Sequence, residues 1–440
     1  MQERISRRHF LQVTGSVSLA ALLSGCGGFG VGQRTSGGGT NITVWDIRTG
    51  NDQTIVKNAT AAFNSKHSDM RVVINFFQND PYKQKLQVAM GAKHPPDIFF
   101  GWGGGILKSY VDAGDVYDMT GALNADSSWK NRYLPSVMAG VTFNGKMYGV
   151  PNSGAQPVVF LYNKDLFAKY HLTPPATWNA LLQLVGPLKQ NGIIPIALGG
   201  GSKWPYLMYE EYLVDRVGGP SAFDAVVANQ SNAWSNPAFI KANTMIQQLV
   251  SAGAFGNNFA SVSYDTGQAG ALLYTGKAAM HLMGVWEFNA INSNSPDFIT
   301  SGKLGWFPFP TVEGGTGDPK NLAGNLCNFY SIASASKAPQ ACLTYLKEAV
   351  LSDDEVTKFI NNGEVPPVQG LQSKLSSAKN SDWLQFVYQS ILQAPHYQLS
   401  WDQALPAQPA QAILTNLDQL FLKQINPQQF STNMNQTLGS

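Results

Sequence analysis

Between residues 41 and 101, apolar β-rich runs alternate with segments of helical period, and few folds accommodate that order. "NITVWDI" (41–47) is followed by "TIVKNATAAFNSKH", in which Ile55, Val56, Ala59, Ala62 and Phe63 share one helical face. "MRVVINFFQ" (70–78) predicts a second strand, "YKQKLQVAMGAK" a second helix and "DIFFG" (97–101) a third strand. This alternation predicts a parallel sheet with covering helices, and such sheets take ligands beyond the carboxyl ends of their strands. Asp46 and the loop after it, Asn79, Asp80 and Trp102 are thereby placed on one rim.

Further on, "GKMYGVPNSGAQPVVFLYNKDLF" carries an extended run over 157–162, and "TPPATWNALLQLVGPLKQNG" reads as a Pro-initiated helix closed by Gly192. "IIPIALGGGSKWPYLMYEEYLVDRVGG" is another strand and glycine loop, with Trp204 beside the following helix. An aromatic just past a strand's carboxyl end thus recurs, which implies two α/β lobes. A chain of 440 residues has room for two or three cores.

The first 26 residues read as an address. A basic start (Arg4, Arg7, Arg8), an apolar core over 13–23 and a small-residue exit form a secretory signal too short for a membrane span. "SRRHFLQ" resembles a twin-arginine export signal. "LSGC" resembles a bacterial lipobox, whose cysteine, Cys26, would be lipidated; the alternative is an ordinary signal with a chance cysteine. Residues 27–40, rich in Gly and Ser, fit a flexible tether. Cys327 and Cys342 could pair in an exported chain or serve as two small buried hydrophobes.

Composition removes some function classes. Only 13% of residues are charged, about half the usual share, and a net charge of +2 without basic runs leaves no footprint for nucleic acid. "GWGGGILKS" lacks P-loop spacing, and Gly101 and Gly103 have no third glycine to complete G-x-G-x-x-G. The six histidines are scattered without H-E-x-x-H, and no G-x-S-x-G is present. No cofactor and no metal site are expected.

The motifs "PPDIFFGWGGG", "GKMYGVP", "FLYNKDLF" with "PPATWNAL", "ALLYTGKAAMHLMGVWEF", "WFPFPTVEGG" and "WDQAL" occur in an order that resembles the extracellular solute-binding proteins of bacterial ABC importers, of the maltose-binding type. The resemblance runs from about residue 41 to the C-terminus. It implies an α/β, two-lobe, periplasmic-binding-protein-like (type II) fold with a hinged inter-lobe cleft. Lobe 1 would comprise 41–155 plus 306–350, and lobe 2 would comprise 156–305 plus 351–440. It further implies a monomer that binds an oligosaccharide and delivers it to the transmembrane subunits of a permease. The anchor would hold it on the outer face of the cytoplasmic membrane.

A sugar presents a mildly apolar C–H face, matched by aromatic rings, and a rim of hydroxyls, matched by carboxylates and amides. Trp102 reads as a stacking plate whose glycine neighbours, Gly103 among them, let backbone approach the sugar; the alternative packs it onto its own lobe. By resemblance, Trp286 is a stacking aromatic, and Trp204 and Tyr206 fall in a ligand segment of the second lobe. Trp401 is implied as a further cleft aromatic, with Asn325 at a lobe crossing. Glu287 could meet a hydroxyl or cap a helix, and Asp402 could accept from a hydroxyl or N-cap the next helix. Asp80 shares the rim with Trp102, whereas Trp234 lies outside these motifs.

Two function classes compete. A binder closes its lobes on the sugar. A secreted glycosidase or lyase instead needs two carboxylates about 5 Å or about 6.5–9.5 Å apart, for which Glu210 and Glu211 with Glu287 or Asp402 are the candidates, although one of the adjacent pair would normally face solvent. The whole-chain resemblance favours the binder. "FGWGGG" and "WDQAL" look most like the branch for β-linked oligosaccharides, xylo-oligosaccharides foremost, with α-glucans left open.

Overall fold

A computed structural model describes residues 39–439. The signal, Cys26 and nearly all of the tether lie outside the described residues.

The first sheet is built from β1 (Thr40–Asp46), β2 (Met70–Phe76) and β3 (Ile98–Gly101), with the hairpin β4 (Thr142–Phe143) and β5 (Lys146–Met147) beside it, and is completed by β6 (Val150–Pro151) and β12 (Phe329–Ile332). Its order is β2-β1-β3-β12-β6. β1 runs parallel to β2 and β3, whereas β12 is antiparallel to both neighbours. Ile42 and Val44 on alternate residues of β1 point into the first core, as period-2 burial requires.

The second sheet contains β7 (Gln156–Asn163), β8 (Ile194–Ala197), β9 (Ala278–Gly284), β10 (Leu304–Phe307), β11 (Leu322–Asn325) and β13 (Tyr397–Leu399). Its order is β13-β11-β7-β9-β8, with β10 also pairing with β7. β9 is buried along its whole length, hence its run of small and apolar residues, broken only at His281. The exception, His281, places Nδ1 2.9 Å from the Ala197 carbonyl, and burial lowers its pKa to about 4.

The chain passes from the first sheet to the second between Pro151 and Gln156. Two boundaries differ from expectation. Residues 306–325 stay with the second lobe, because β10 and β11 both pair with β7 and the rings after them are absorbed there: Phe307 stacks on Phe160 at 5.0 Å and Phe309 on Tyr212 at 4.6 Å. The return crossing is therefore Asn325 to Phe329 rather than Trp306. Helix Asp353–Asn362 does not open the second lobe either, since its Val356, Phe359 and Ile360 join the first core. The chain re-enters the second sheet only at β13.

Cys327 and Cys342 are both free and buried, so the two behave as small apolar residues. Among the described residues no helix is long and apolar enough to cross a membrane.

Candidate functional site

A cavity of about 740 Å³ lies between the two sheets, lined from the first lobe by Asn79, Lys83 and Trp102 and from the second by Trp204, Tyr264, Trp286 and Glu287. The crossings contribute Gln156, Asn325 and Asn328, and the turn after the last strand contributes Ser400, Asp402 and Gln403. That volume falls within the range of about 300–1,000 Å³ typical of small-molecule sites.

Trp102 follows directly on β3. It meets Phe100 and Tyr82 edge to face at 5.2 and 6.3 Å, and the Lys83 ammonium sits 5.0 Å over its ring. Thus it both rests on its own lobe and walls the cavity. The glycines after it do different work from that expected. Gly103 is buried and away from the cavity; a Cβ there would lie 2.5 Å from the Gly140 carbonyl, and one on Gly104 or Gly105 would strike the carbonyls of Gln403 or Ala404. Gly104 and Gly105 thereby let the start of helix Gly104–Asp112 meet the turn Trp401–Ala404 backbone to backbone, while Gly103 lets the chain pass Gly140. None of the three lines the cavity.

Trp286 opens helix Trp286–Asn294 straight after β9, and its indole folds back over the strand end, where a Cβ on Gly284 would sit 1.8 Å from the ring. Trp204 stands 6.2 Å from it, tilted by 49°, and Tyr264 meets Trp204 edge to face at 4.8 Å. Trp204 Nε1, Asn325 Oδ1 and Asn328 Oδ1 are buried without a protein hydrogen-bond partner. Tyr264 carried no signal in the sequence, since it follows no strand.

Other expected site residues lie elsewhere. Tyr206 is fully buried and stacks on Phe421 at 4.2 Å, because it ends a single 3-10 turn whose first residue, Trp204, faces the other way. Trp401 is 1% exposed and stacks on Phe223 at 4.3 Å; its one-turn helix sends Asp402 and Gln403 to the cavity and the indole into the core. Asp402 lies within that helix and is not its N-cap, which is Ser400; its carboxylate accepts from Lys83 Nζ at 3.1 Å. Glu287 is likewise inside its helix rather than capping it, and burial pushes its carboxyl up to about 7. Asp46 is sealed from the cavity, accepting from the Arg48 backbone N–H at 2.7 Å, from Arg48 Nη1 at 2.5 Å and from the Tyr330 hydroxyl. Asp80 is half-buried at the edge, where its backbone N–H donates across the cleft to Asp265 Oδ2 at 2.9 Å.

Glu210 and Glu211 are also misplaced for hydrolysis. Neither faces solvent or the cavity: they are 0% and 1% exposed inside helix Leu207–Gly218. Glu211 Oε1 accepts from Ser400 Oγ at 2.8 Å and from the Trp401 N–H at 2.7 Å, while burial pushes its carboxyl up to about 7. The fold thus favours the protonated acid. Its stabilising contribution is full below the unfolded value near 4.5 and is lost as pH rises through about 7, a swing of about 3 kcal/mol. Glu211→Gln is expected to flatten the fall in urea-unfolding free energy between pH 5 and pH 8 by an amount of that order; an unchanged slope would contradict this account.

The five lining carboxyl groups are Asp52, Asp265, Glu287, Glu364 and Asp402, against two basic residues, Arg48 and Lys83. The Arg48 guanidinium is taken up by Asp46, Tyr330 and Asn152, and the Lys83 ammonium by Asp402. Among the described residues no group of three His, Cys, Asp or Glu could hold a metal ion.

Two α/β lobes with a cavity between them, walled by indoles from both, define a two-lobe solute-binding protein. The family model for bacterial extracellular solute-binding proteins matches residues 46–366, and the chain belongs to that family. It is 31% identical over 207 residues to an uncharacterized ABC transporter extracellular-binding protein of Pyrococcus horikoshii, covering 46% of this chain and 45% of that one. The chain therefore spans about half the length of that curated relative. It is 23% identical over 349 residues to the melibiose/raffinose/stachyose-binding protein MelE of Bacillus subtilis, covering 77% and 75% of the two. A solved structure from work on xylan utilization by Caldanaerobius polysaccharolyticus superimposes with a TM-score of 0.81 at 30% identity, over 91% of this chain and 100% of the other.

Proposed function

We propose that this protein is the capture component of an ABC importer, holding a neutral oligosaccharide, with xylo-oligosaccharides foremost, between its lobes for delivery to a membrane permease. The observation that carries the reading is the pairing of surfaces in one cavity. Trp102 faces it from one lobe and Trp204 and Trp286 from the other, while unpartnered Trp204 Nε1, Asn325 Oδ1 and Asn328 Oδ1 offer one donor and two acceptors. Rings match the C–H faces of pyranoses, and the polar atoms match hydroxyls. Neutrality follows from the cations: both basic lining residues are engaged by protein partners, so a phosphate or uronate would find no free counter-ion.

The xylan-related neighbour at 30% identity over its whole length supports the β-linked sugar, and MelE makes raffinose-type sugars the natural comparison. Lipidation at Cys26 would tether the binder beside its permease on the outer face of the membrane, as a monomer. Catalysis has little support, since Glu210 and Glu211 are entombed and the family binds solutes.

The test is a thermal-shift panel of xylobiose, xylotriose, cellobiose, chitobiose, maltose, raffinose and sn-glycerol 3-phosphate, with chromatography of the recovered sugar. Native-state binding at 100 times Kd stabilises by about 2.7 kcal/mol, so xylobiose or xylotriose is expected to give the largest rise in Tm and to be recovered intact. A larger rise with the phosphate, or cleaved sugar, would overturn the reading.

A further inference from the structure

Glu287 lines the cavity, yet its carboxylate is already committed. Trp286 Nε1–H donates to the Tyr264 hydroxyl at 2.6 Å, and that hydroxyl donates to Glu287 Oε2 at 3.0 Å. An indole nitrogen can only donate, so the Tyr264 hydroxyl accepts from Trp286, and once Glu287 is ionised, above about pH 7, its carboxylate can only accept the hydroxyl's own proton. The far side of the carboxylate is seated on helix Gln268–Tyr274, where a Cβ on Gly270 would lie 2.1 Å from Glu287 Oε1. Tyr264 also sets its ring edge to face against Trp204. One phenol therefore touches both cavity-lining indoles of the second lobe and is itself tethered to a buried acid.

We propose that Tyr264 and Glu287 are positioning residues that fix the planes of Trp286 and Trp204, with Glu287 acting as the anchor of the relay rather than as a hydroxyl ligand. This rests on the reading of the cavity as a carbohydrate site. An aromatic plate helps binding only when it is held before the ligand arrives, since ordering it afterwards would consume affinity. Trp286 cannot turn its N–H toward a sugar without breaking the relay, so it offers its face alone, and the donor role is left to Trp204 Nε1.

The experiment has one arm without ligand and one with it. In indole-¹⁵N-labelled protein the Trp286 N–H resonance is identified by its loss in Trp286→Phe. In Tyr264→Phe, which keeps the ring, that resonance is expected to move upfield and exchange faster with water, while affinity for the best sugar of the panel falls about tenfold. Glu287→Ala is expected to give a comparable loss and Glu287→Gln, which retains an acceptor, to restore most of it. Gly270→Ala, which displaces the carboxylate, is expected to behave as Glu287→Ala does.

The decisive comparison is the double variant. A relay makes Tyr264→Phe with Glu287→Ala no worse than either alone, whereas a direct Glu287–sugar bond makes the losses add. Additive losses, or an unmoved Trp286 resonance in Tyr264→Phe, would overturn the proposal. So would a shifted resonance with unaltered affinity. If the unaltered protein binds no sugar of the panel, the functional reading fails, while the resonance arm still decides whether the relay exists. If Tyr264→Phe does not fold, Glu287→Ala against Glu287→Gln carries the same test.

Discussion

Trp286→Ala is expected to weaken binding of the best panel sugar by about 100-fold, the largest loss from any single substitution in the cavity. The indole is held from three directions: its ring lies over the end of β9 at Gly284, its N–H is bonded to Tyr264, and Trp204 stands 6.2 Å away. Rigid, desolvated aromatics of this kind dominate interface energetics, with truncation costing 2 kcal/mol or more, and 2.7 kcal/mol corresponds to about 100-fold. The loss also leaves the Tyr264 hydroxyl without its donor and Trp204 without its neighbour. Calorimetric titration is the measurement, with far-UV circular dichroism to show that the fold survives. Val88→Ala, at a residue 72% exposed on the first lobe, is the appropriate control. Trp234 is unsuitable in that role despite lying outside the motifs, because it is fully buried among Phe223, Phe239 and Trp401 and its truncation would hollow the second core. Binding within threefold of the parent protein would remove Trp286 from the site.

What could be read from sequence was whatever local pattern controls. The first three strands of the first sheet, β1 to β3, follow from period-2 and run-length signals, Trp102 follows from its place just past a strand end beside glycines, and Trp286 follows from the family resemblance. Direction within a short turn was not legible. In the 3-10 turn Trp204–Tyr206 and the helical turn Trp401–Ala404 successive side chains diverge by roughly 120° and roughly 100°, and which of them meets the cavity depends on packing against Phe421 or Phe223, far away in sequence. The glycines after Trp102 signalled close approach correctly but not the partners: Gly103 meets the Gly140 carbonyl, while Gly104 and Gly105 meet carbonyls at Gln403 and Ala404, 299 residues on. Asp46 sat on the expected rim, yet Tyr330 and Arg48 claim its carboxylate before any ligand can. The boundary errors have the same origin: residues 306–325 pair with β7, whose register no local signal specifies.

Removal of that carboxylate should have the largest effect on stability. Asp46→Ala is expected to lower the free energy of urea unfolding at pH 7 by about 3–5 kcal/mol, the usual consequence of leaving a buried charge uncompensated. Asp46 is 0% exposed and Arg48 8% exposed. The guanidinium lies 5.7 Å from the ring centroids of Phe100, Tyr330 and Phe359, and donates to the Asn152 side-chain oxygen at 2.8 Å as well as to Asp46. Burial by itself would lower the pKa of this group; Asp46, Tyr330, Glu355 and Glu364 outweigh burial and hold it above its ordinary value. Without Asp46 the strongest of those partners is gone and the Tyr330 hydroxyl loses its acceptor. Replacing both members, Asp46→Ala with Arg48→Met, is expected to recover most of the loss, because an apolar side chain suits this ring of aromatics and the neighbouring Glu355 and Glu364, already raised by burial, are free to protonate. The location ties the chemistry to the fold: Asp46 ends β1, Tyr330 lies in β12, and Asn152 lies on the first crossing between lobes. One ion pair thus fastens the sheet of the first lobe to the first crossing between the lobes. A loss below 1 kcal/mol in Asp46→Ala, or a double variant as unstable as the single, would show that the pair does not fasten it.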